Sequence, residues 1–401
     1  MAPDEDFVRR PTTAFVNVDA LTHNVRAVRE HVASGTRLMA VVKANAYGHG
    51  LIPTAKVFLQ AGVHHLGVAF LEEGIQLRDA GIRAPILVLG GLIGNQVRHF
   101  LEYDLELTAA SPYKIEQIEQ AAARLGTRAR VHLKVDTGME RIGVQWTGAD
   151  KLLRAAERAA HVDVVGTFSH FAEAERPGSE FTKEQVRRFR ESVVPGPQVG
   201  LRHLANSGGL LFYPESHLDL VRPGLALYGV APGATELSLR PALSLSTRVV
   251  YFKVVRAGTT VSYDRTWAPE QDTRVVTLPV GYGDGYMRAL SNRAQVLIRG
   301  RRYPVVGRVT MDATMVDLGP EGTAYNGDEV VLIGGSNPSI HVTEVAAWAG
   351  TIPYEVLTAI SARVPRVYVD DEGRDLTRQL DPSPPVGGSP PFDPSTARGR
   401  G

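Results

Sequence analysis

Arg37-Leu-Met-Ala-Val-Val-Lys43, His65-Leu-Gly-Val-Ala-Phe70 and Ile86-Leu-Val-Leu-Gly90 are short apolar runs, with mostly amphipathic stretches between them. The alternation continues outward through Asp104–Thr108, Arg130–Val135, Asp163–His170, Leu201–Asn206 and His217–Arg222. In the intervening Pro112–Leu125, the residues Ile115, Ile118, Ala122 and Leu125 fall three to four apart, one stripe of a helix; Ala149–Ala160 has the same character. Strands alternating with helices predict a parallel sheet, and runs too apolar for one wet face predict burial on both sides. Eight such units are the number that closes a (β/α)8 barrel. A doubly wound open sheet stays open at this point.

Near Arg240 the pattern changes. From Ala242 to Val369 the runs are strand-like and separated by turn residues, as at Arg299-Gly300-Arg301 and Asn326-Gly327-Asp328. This predicts a mostly antiparallel β domain with late helices from Thr343 to about Gly350 and after Pro353. The fold class is therefore α/β plus β, a TIM-like barrel followed by a β domain. The reading divides the chain into an extension (residues 1–11), the barrel (12–240), the β domain (241–379) and a Pro/Gly-rich tail (380–401). Ala14–Val18 falls outside the eight units and is a candidate to join the second domain.

At 401 residues, with 43% hydrophobic and 22% charged residues, the chain has a sizeable core available and is not broadly disordered. Lys+Arg number 44 against 43 Asp+Glu, so no general affinity for nucleic acid follows. Zero cysteines exclude disulfides, thiolate metal sites and cysteine nucleophiles. No apolar run approaches the roughly 20 residues a membrane span needs. The acidic start Met-Ala-Pro-Asp-Glu-Asp lacks the basic and apolar parts of a signal peptide, and a cytoplasmic protein is expected.

In a barrel, chemistry sits at the carboxyl ends of the strands. Lys43 ends the first candidate strand, Arg141 follows the fifth, His170 ends the sixth, Ser207 follows the seventh, and Arg222 with Gly224 follows the eighth. Ser207-Gly208-Gly209 and the Arg222-Pro223-Gly224 turn offer a hydroxyl and backbone N–H groups to a phosphate. Burial lowers a lysine pKa and makes the amine a nucleophile for a carbonyl. An isolated lysine there would simply reach solvent. Beside a phosphate cradle it suggests a Schiff base to a phosphorylated aldehyde, and pyridoxal phosphate or a sugar-phosphate aldolase substrate both fit.

The run Val41-Val-Lys43-Ala-Asn-Ala-Tyr47-Gly-His-Gly50 closely resembles the pyridoxal-phosphate attachment signature of alanine racemases. Lys134-Val-Asp-Thr-Gly-Met-Glu-Arg141, Ser169-His170-Phe171, His203-Leu-Ala-Asn-Ser207 and Arg222-Pro-Gly-Leu-Ala-Leu-Tyr228 match as well. So do Val261-Ser-Tyr263-Asp-Arg-Thr266, Gly281-Tyr282-Gly-Asp-Gly-Tyr286, Met311-Asp312 and Ile352-Pro-Tyr354. The resemblance spans roughly Thr12 to Tyr368.

It implies a cytoplasmic homodimer with shared sites, binding no nucleic acid or membrane and interconverting L- and D-alanine for peptidoglycan. Lys43 would carry pyridoxal 5'-phosphate as its imine and be one of two opposed bases. Tyr263, from the other subunit, would be the second. Tyr47, Ser207, Gly224, Leu225 and Tyr354 would hold the phosphate, and Arg222, with His170 behind it, would meet the pyridine nitrogen. Arg141 and Met311 would bind the substrate, the latter across the dimer. Lys134 would be carbamylated in some members, and Tyr282 and Tyr286 would line the substrate access path. Ala313 stands where many members have glutamine, and Glu175 where many have aspartate. Related readings are a racemase of serine or broader amino acids, a decarboxylase on the same fold, and a non-catalytic pyridoxal-phosphate carrier. Arg222 and the absent cysteine disfavour the decarboxylase; Tyr263 and the β domain disfavour the carrier. No metal site is expected: His64-His65 reads as a loop or strand start, and Asp370-Asp371-Glu372 as a solvated turn.

Overall fold

The computed structural model describes residues 10–335 and 338–381. It contains two units, Asn17–Ala242 and, discontinuously, the described residues up to Val16 together with those from Leu243 onward.

The first unit is a nearly closed parallel barrel. Around the sheet run Ile86–Val88, His65–Val68, Arg37–Val41, Leu220–Val221, Leu201–His203, Val162–Phe168, Ala129–Asp136 and Leu107–Ala109. Every registered neighbour pair is parallel. Across the remaining seam, Glu106 N–H donates to Ile86 C=O at 2.9 Å and Val88 N–H to Glu106 C=O at 3.1 Å, an isolated parallel bridge. The eight apolar runs thus map onto eight strands of a barrel, and not onto an open doubly wound sheet. Seven are shorter than their runs, and the fifth, Ala129–Asp136, is longer. Asp104–Thr108 becomes Leu107–Ala109 because Asp104 takes a positive φ of 52°. Leu201–Asn206 and His217–Arg222 shrink to Leu201–His203 and Leu220–Val221, and the freed residues become site loops.

The helices form where caps and stripes coincide. In Pro112–Leu125, the Ser111 hydroxyl accepts from Lys114 N–H, proline opens the first turn, and Gly126 closes the helix at φ 63°. Its stripe Ile115, Ile118 and Ala122 is buried. Ala149–Arg158 buries Ala149, Leu152 and Ala156 in the same way.

The second unit is built on a nine-stranded sheet ordered Tyr251–Val255, Thr273–Leu278, Thr314–Gly319, Arg301–Val306, Gln295–Ile298, Glu329–Ile333, Leu243–Arg248, Thr13–Asn17 and Arg366–Val369. Pairings from the first of these through Thr13–Asn17 are antiparallel. Thr13 lies opposite Ser246 and Val16 opposite Leu243. Of the run Ala14–Val18, the candidate to join the second domain, Ala14–Val16 pair with Leu243–Leu245 in this sheet, and Val18 opens the helix Val18–His31. Helices follow at Val342–Ala349 and Pro353–Ala359. Leu380, placed at the start of the tail, instead ends the short helix Thr377–Leu380 and is buried; residues 1–9 and 382–401 lie outside the described residues. Among the described residues no helix is long and apolar enough to cross a membrane.

Candidate active site

Immediately after the first barrel strand, the backbone does something costly. Ala44, Asn45, Ala46 and Tyr47 all take left-handed conformations, with φ between 51° and 55°. Each such L-residue costs roughly 1–2 kcal/mol, and a run of them persists only where the surroundings over-determine it. Glu73 supplies one restraint: its carboxylate accepts from Ala44 N–H at 2.6 Å, Ala69 N–H at 2.7 Å and Phe70 N–H at 3.2 Å. Asn45 supplies another, its side-chain oxygen accepting from Leu51 N–H at 2.8 Å. The turn leaves Lys43 at the barrel mouth and sends Tyr47 back into the protein.

Lys43 is accessible at that mouth, so the buried strand ends in an open lysine. The protein packed around it, and then the charge of Arg141, still hold its ammonium pKa below the ordinary lysine value. Tyr47 is buried and stacks on Tyr228 with ring centroids 4.8 Å apart. Tyr228 is anchored by donating to Val41 C=O at 3.0 Å.

Ser207 and Gly224 meet Tyr47 from the other side. The Ser207 Oγ accepts from Gly224 N–H at 3.0 Å and from Ala226 N–H at 3.2 Å, leaving its own proton to donate elsewhere. A β-carbon at Gly224 would meet the Tyr47 hydroxyl at 2.5 Å, so two hydroxyls and a glycine turn converge. The neighbouring glycines act differently from the sequence reading. Gly209 N–H is taken by the Asn206 side chain at 2.9 Å. Gly208 and Gly209 allow close approach of Ala174 and of Phe171. They are packing glycines, and Gly224 N–H is itself engaged by Ser207.

Arg222 is buried. Burial pulls its pKa down to about 9. Its Nη2 donates to Ser169 C=O at 2.8 Å and Leu204 C=O at 3.2 Å, and lies 3.5 Å from His170 Nδ1. Burial first, then the charges of Arg222, Lys134, Arg141 and Lys43, keep the His170 pKa well below its usual value, so its imidazole is neutral.

Asp136, which sequence reasoning passed over, builds the Arg141 loop. Its Oδ1 accepts from the N–H groups of Gly138, Met139 and Glu140 at 2.8, 3.0 and 3.2 Å, and its Oδ2 from Arg141 N–H at 3.3 Å. Lys134 lies buried one strand position pair earlier, its Nζ 5.2 Å from the Phe168 ring centroid. Burial and the charge of Arg222 bring its pKa down to about 7. Glu73 stands in the first turn of the helix Leu71–Asp79, and Asp136 ends its strand just before a glycine turn, the signals that could have found them.

In the second unit, Tyr263 sits on a strained loop: Ser262, Asp264 and Arg265 have φ of 67°, 59° and 53°. Asp264 pairs with Arg308 at 3.2 Å and Arg288 at 3.3 Å, and Ser262 Oγ donates to Arg308 C=O at 2.7 Å. The tyrosine this loop carries is 71% exposed. Met311 and Tyr282 are exposed too, and Tyr354 is half-buried. Tyr286 is buried within its unit. Gly281–Gly285 turns around buried Asp284, which accepts from Gly281 N–H at 3.0 Å and is held by Arg10.

A pliable amine at a strand end, a two-hydroxyl cradle on a glycine turn and a buried arginine recur together in chains of known family. The alanine racemase N-terminal domain family matches residues 16–232, and its C-terminal domain family matches residues 242–368. The chain belongs to the alanine racemase family. These racemases are pyridoxal-phosphate-dependent isomerases. Alanine racemase of Symbiobacterium thermophilum is 47% identical over 367 residues, 90% of this chain and 97% of that protein. The crystal structure of alanine racemase from D-cycloserine-producing Streptomyces lavendulae aligns with a TM-score of 0.86 at 38% identity, covering 90% of this chain and 98% of that one. That of Bartonella henselae, with covalently bound pyridoxal phosphate, aligns with a TM-score of 0.83 at 30% identity, covering 90% and 100%.

Proposed function

We propose that this chain interconverts L- and D-alanine as a cytoplasmic homodimer supplying D-alanine for peptidoglycan, with pyridoxal phosphate held at the barrel mouth. The observation that carries the reading is the convergence of Tyr47 and Ser207 on the Gly224 turn, in the unit that also presents Lys43. A cradle that a single β-carbon would fill suits a phosphate, and a lysine with a depressed pKa suits an aldehyde, so the residues fit the cofactor. When bound, pyridoxal phosphate supplies the electron sink that makes an amino acid Cα–H acidic enough to remove.

The chain's own residues would divide the remaining work. Ser207 Oγ–H and Tyr47 Oη–H would donate to the phosphate, with the Gly224–Leu225 backbone beside them and Tyr354 completing the set. Arg222, which only donates, would face the ring nitrogen and leave it unprotonated; neutral His170 stands behind it. Arg141 would receive the substrate carboxylate, with Met311 from the second copy. Lys43 Nζ would hold or release the Cα proton on one face, and the Tyr263 phenol of the second copy on the other. The exposure of Tyr263 on a strained, ion-paired loop supports its use by a neighbouring copy, and exposed Tyr282 supports a place on the access path. Buried Tyr286 would back that path from the core.

Lys134 supports a modification. An amine with a pKa near 7 is largely neutral above that pH, and its nitrogen can add to CO2 and lose a proton to give a carbamate anion within electrostatic reach of Arg141 and Arg222. An intact mass lacking the added CO2 under native conditions would remove this idea.

The test of the whole reading is α-proton exchange in deuterated water across an amino acid panel, with Lys43→Ala and Tyr263→Phe alongside. Exchange confined to alanine, abolished by the first variant and lost mainly for one enantiomer in the second, supports it. Equal exchange of serine and other amino acids makes it a broad racemase. Visible absorbance without exchange makes it a carrier.

A further inference from the structure

The interior of a (β/α)8 barrel is ordinarily filled by branched apolar side chains. Here a chain of four polar residues crosses it. Glu106 Oε2 lies 3.0 Å from His132 Nε2, His132 Nδ1 lies 2.8 Å from His203 Nε2, and His203 Nδ1 lies 3.0 Å from Arg222 Nη1. All four residues are buried, each at 3% exposure or less. The chain runs from Glu106, at the barrel seam before the fourth strand, to Arg222 beyond the eighth.

The direction of its protons follows from the donors at its ends. A guanidinium has no acceptor, so Arg222 must donate to His203 Nδ1. The pKa of His203 is pushed well below its usual value by burial and then by the charge of Arg222, so its one proton sits on Nε2 and is donated to His132 Nδ1. His132 then carries its proton on Nε2 and donates it to the Glu106 carboxylate. The Glu106 pKa is lowered: burial pushes it up, but the hydrogen bond and charge of His132, with His65 and Arg130, outweigh that. Both imidazoles are thus locked as Nε2–H tautomers, pointing away from Arg222 and toward an anion.

The barrel is built around this chain. Gly166 lies opposite His132, at a register shift between their strands, and a β-carbon there would collide with the His132 ring. Phe168 stacks on His203 at 4.8 Å with the planes 6° apart, and the Arg222 guanidinium lies 5.3 Å from the same ring. Arg130 covers Glu106 from the outside at 3.5 Å.

We propose that Glu106, His132 and His203 are positioning residues for Arg222, holding its guanidinium as a cation in one orientation while the compensating negative charge stays two imidazoles away. This deepens the proposed function and rests on it, since the guanidinium so held is the one assigned to the cofactor ring nitrogen. A carboxylate paired directly with Arg222 would neutralise the field it presents; the two rings keep that field and still fix its direction.

The test uses the full chain purified with pyridoxal phosphate. Long-range 1H–15N spectra should show His132 and His203 as neutral Nε2–H tautomers at pH 7. Glu106→Gln keeps the size and an accepting oxygen but removes the charge. It should scramble those tautomers and lower kcat in both directions about tenfold or more, the size of one hydrogen bond to a charged group, with KM for alanine within about twofold. A residue with only a structural role would lower Tm and leave kcat per folded molecule unchanged. An Nδ1–H tautomer on either ring of the unmutated protein overturns the proposal, and that spectrum decides even if the variant fails to fold. Unchanged spectra and kcat in Glu106→Gln overturn it too. An unmutated protein that racemises nothing sinks the functional reading and the role of Arg222 with it; the tautomers, read on the same sample, tell the two failures apart.

Discussion

Tyr47 and Gly224 share one small volume: the phenol hydroxyl occupies the space that a side chain at position 224 would enter, 2.5 Å from where its β-carbon would stand. Gly224→Ala must displace either the buried tyrosine or the turn, at a cost of about 1–3 kcal/mol for overpacking. We expect pyridoxal-phosphate affinity to fall at least about tenfold, the worth of one charge-assisted hydrogen bond, measured by absorbance titration. An affinity within twofold of the parent would remove Tyr47 and Gly224 from the phosphate set.

Tyr263 is largely exposed on its own chain, so its removal should cost little stability. Tyr263→Phe is expected to change the unfolding free energy by less than about 0.5 kcal/mol. It should also lower α-proton exchange of one enantiomer by about 100-fold or more, as for a lost general base. Stability is read by urea melts and rate by exchange of each enantiomer separately.

Asp136 accepts from four successive backbone N–H groups that lead to Arg141. Asp136→Ala strands those donors and frees the loop. We expect KM for alanine to rise about tenfold, consistent with loss of a charged acceptor worth roughly 1.5–3 kcal/mol, with kcat less affected. A fall in kcat at constant KM would mean that the loop orders the transition state instead.

With CO2 excluded, so that the amine is not carbamylated, Lys134 makes stability depend on pH. Its folded pKa of about 7 lies below the value near 10.4 of an unfolded lysine. Between those two values the unfolded chain binds more protons than the folded one, so stability rises with pH across the window. The penalty is full below pH 7 and gone above about 10.4. Lys43, also depressed, adds a slope of the same sign. Lys134→Met should therefore be the more stable protein at pH 7 and lose its advantage by about pH 10, in melts at matched ionic strength. Parallel pH profiles for the two proteins would show that the amine titrates normally.

The legible part of this protein was local. Apolar runs five or so residues long, helices spaced by their stripes and caps such as Ser111 and Gly126, and reactive residues standing just past the strand ends are set by near neighbours along the chain. Lys43, Ser207 and Arg222 could be placed because a strand end is also a position in sequence.

What the linear order could not show depends on contacts between residues far apart in it. Ala44–Tyr47 hold a left-handed turn that, Asn45 apart, their side chains disfavour, and Glu73, some 30 residues on, provides an acceptor that fixes it. Thr13–Val16 belong with strands more than 200 residues later, which flank them in the sheet and take up their backbone groups. Glu106, His132, His203 and Arg222 become one proton-ordered chain only when four strands close round a common interior. Periodicity says which face of a strand is buried. Which buried groups then meet is decided by the closure of the barrel, because hydrogen bonds form at 3 Å between atoms and not along the sequence.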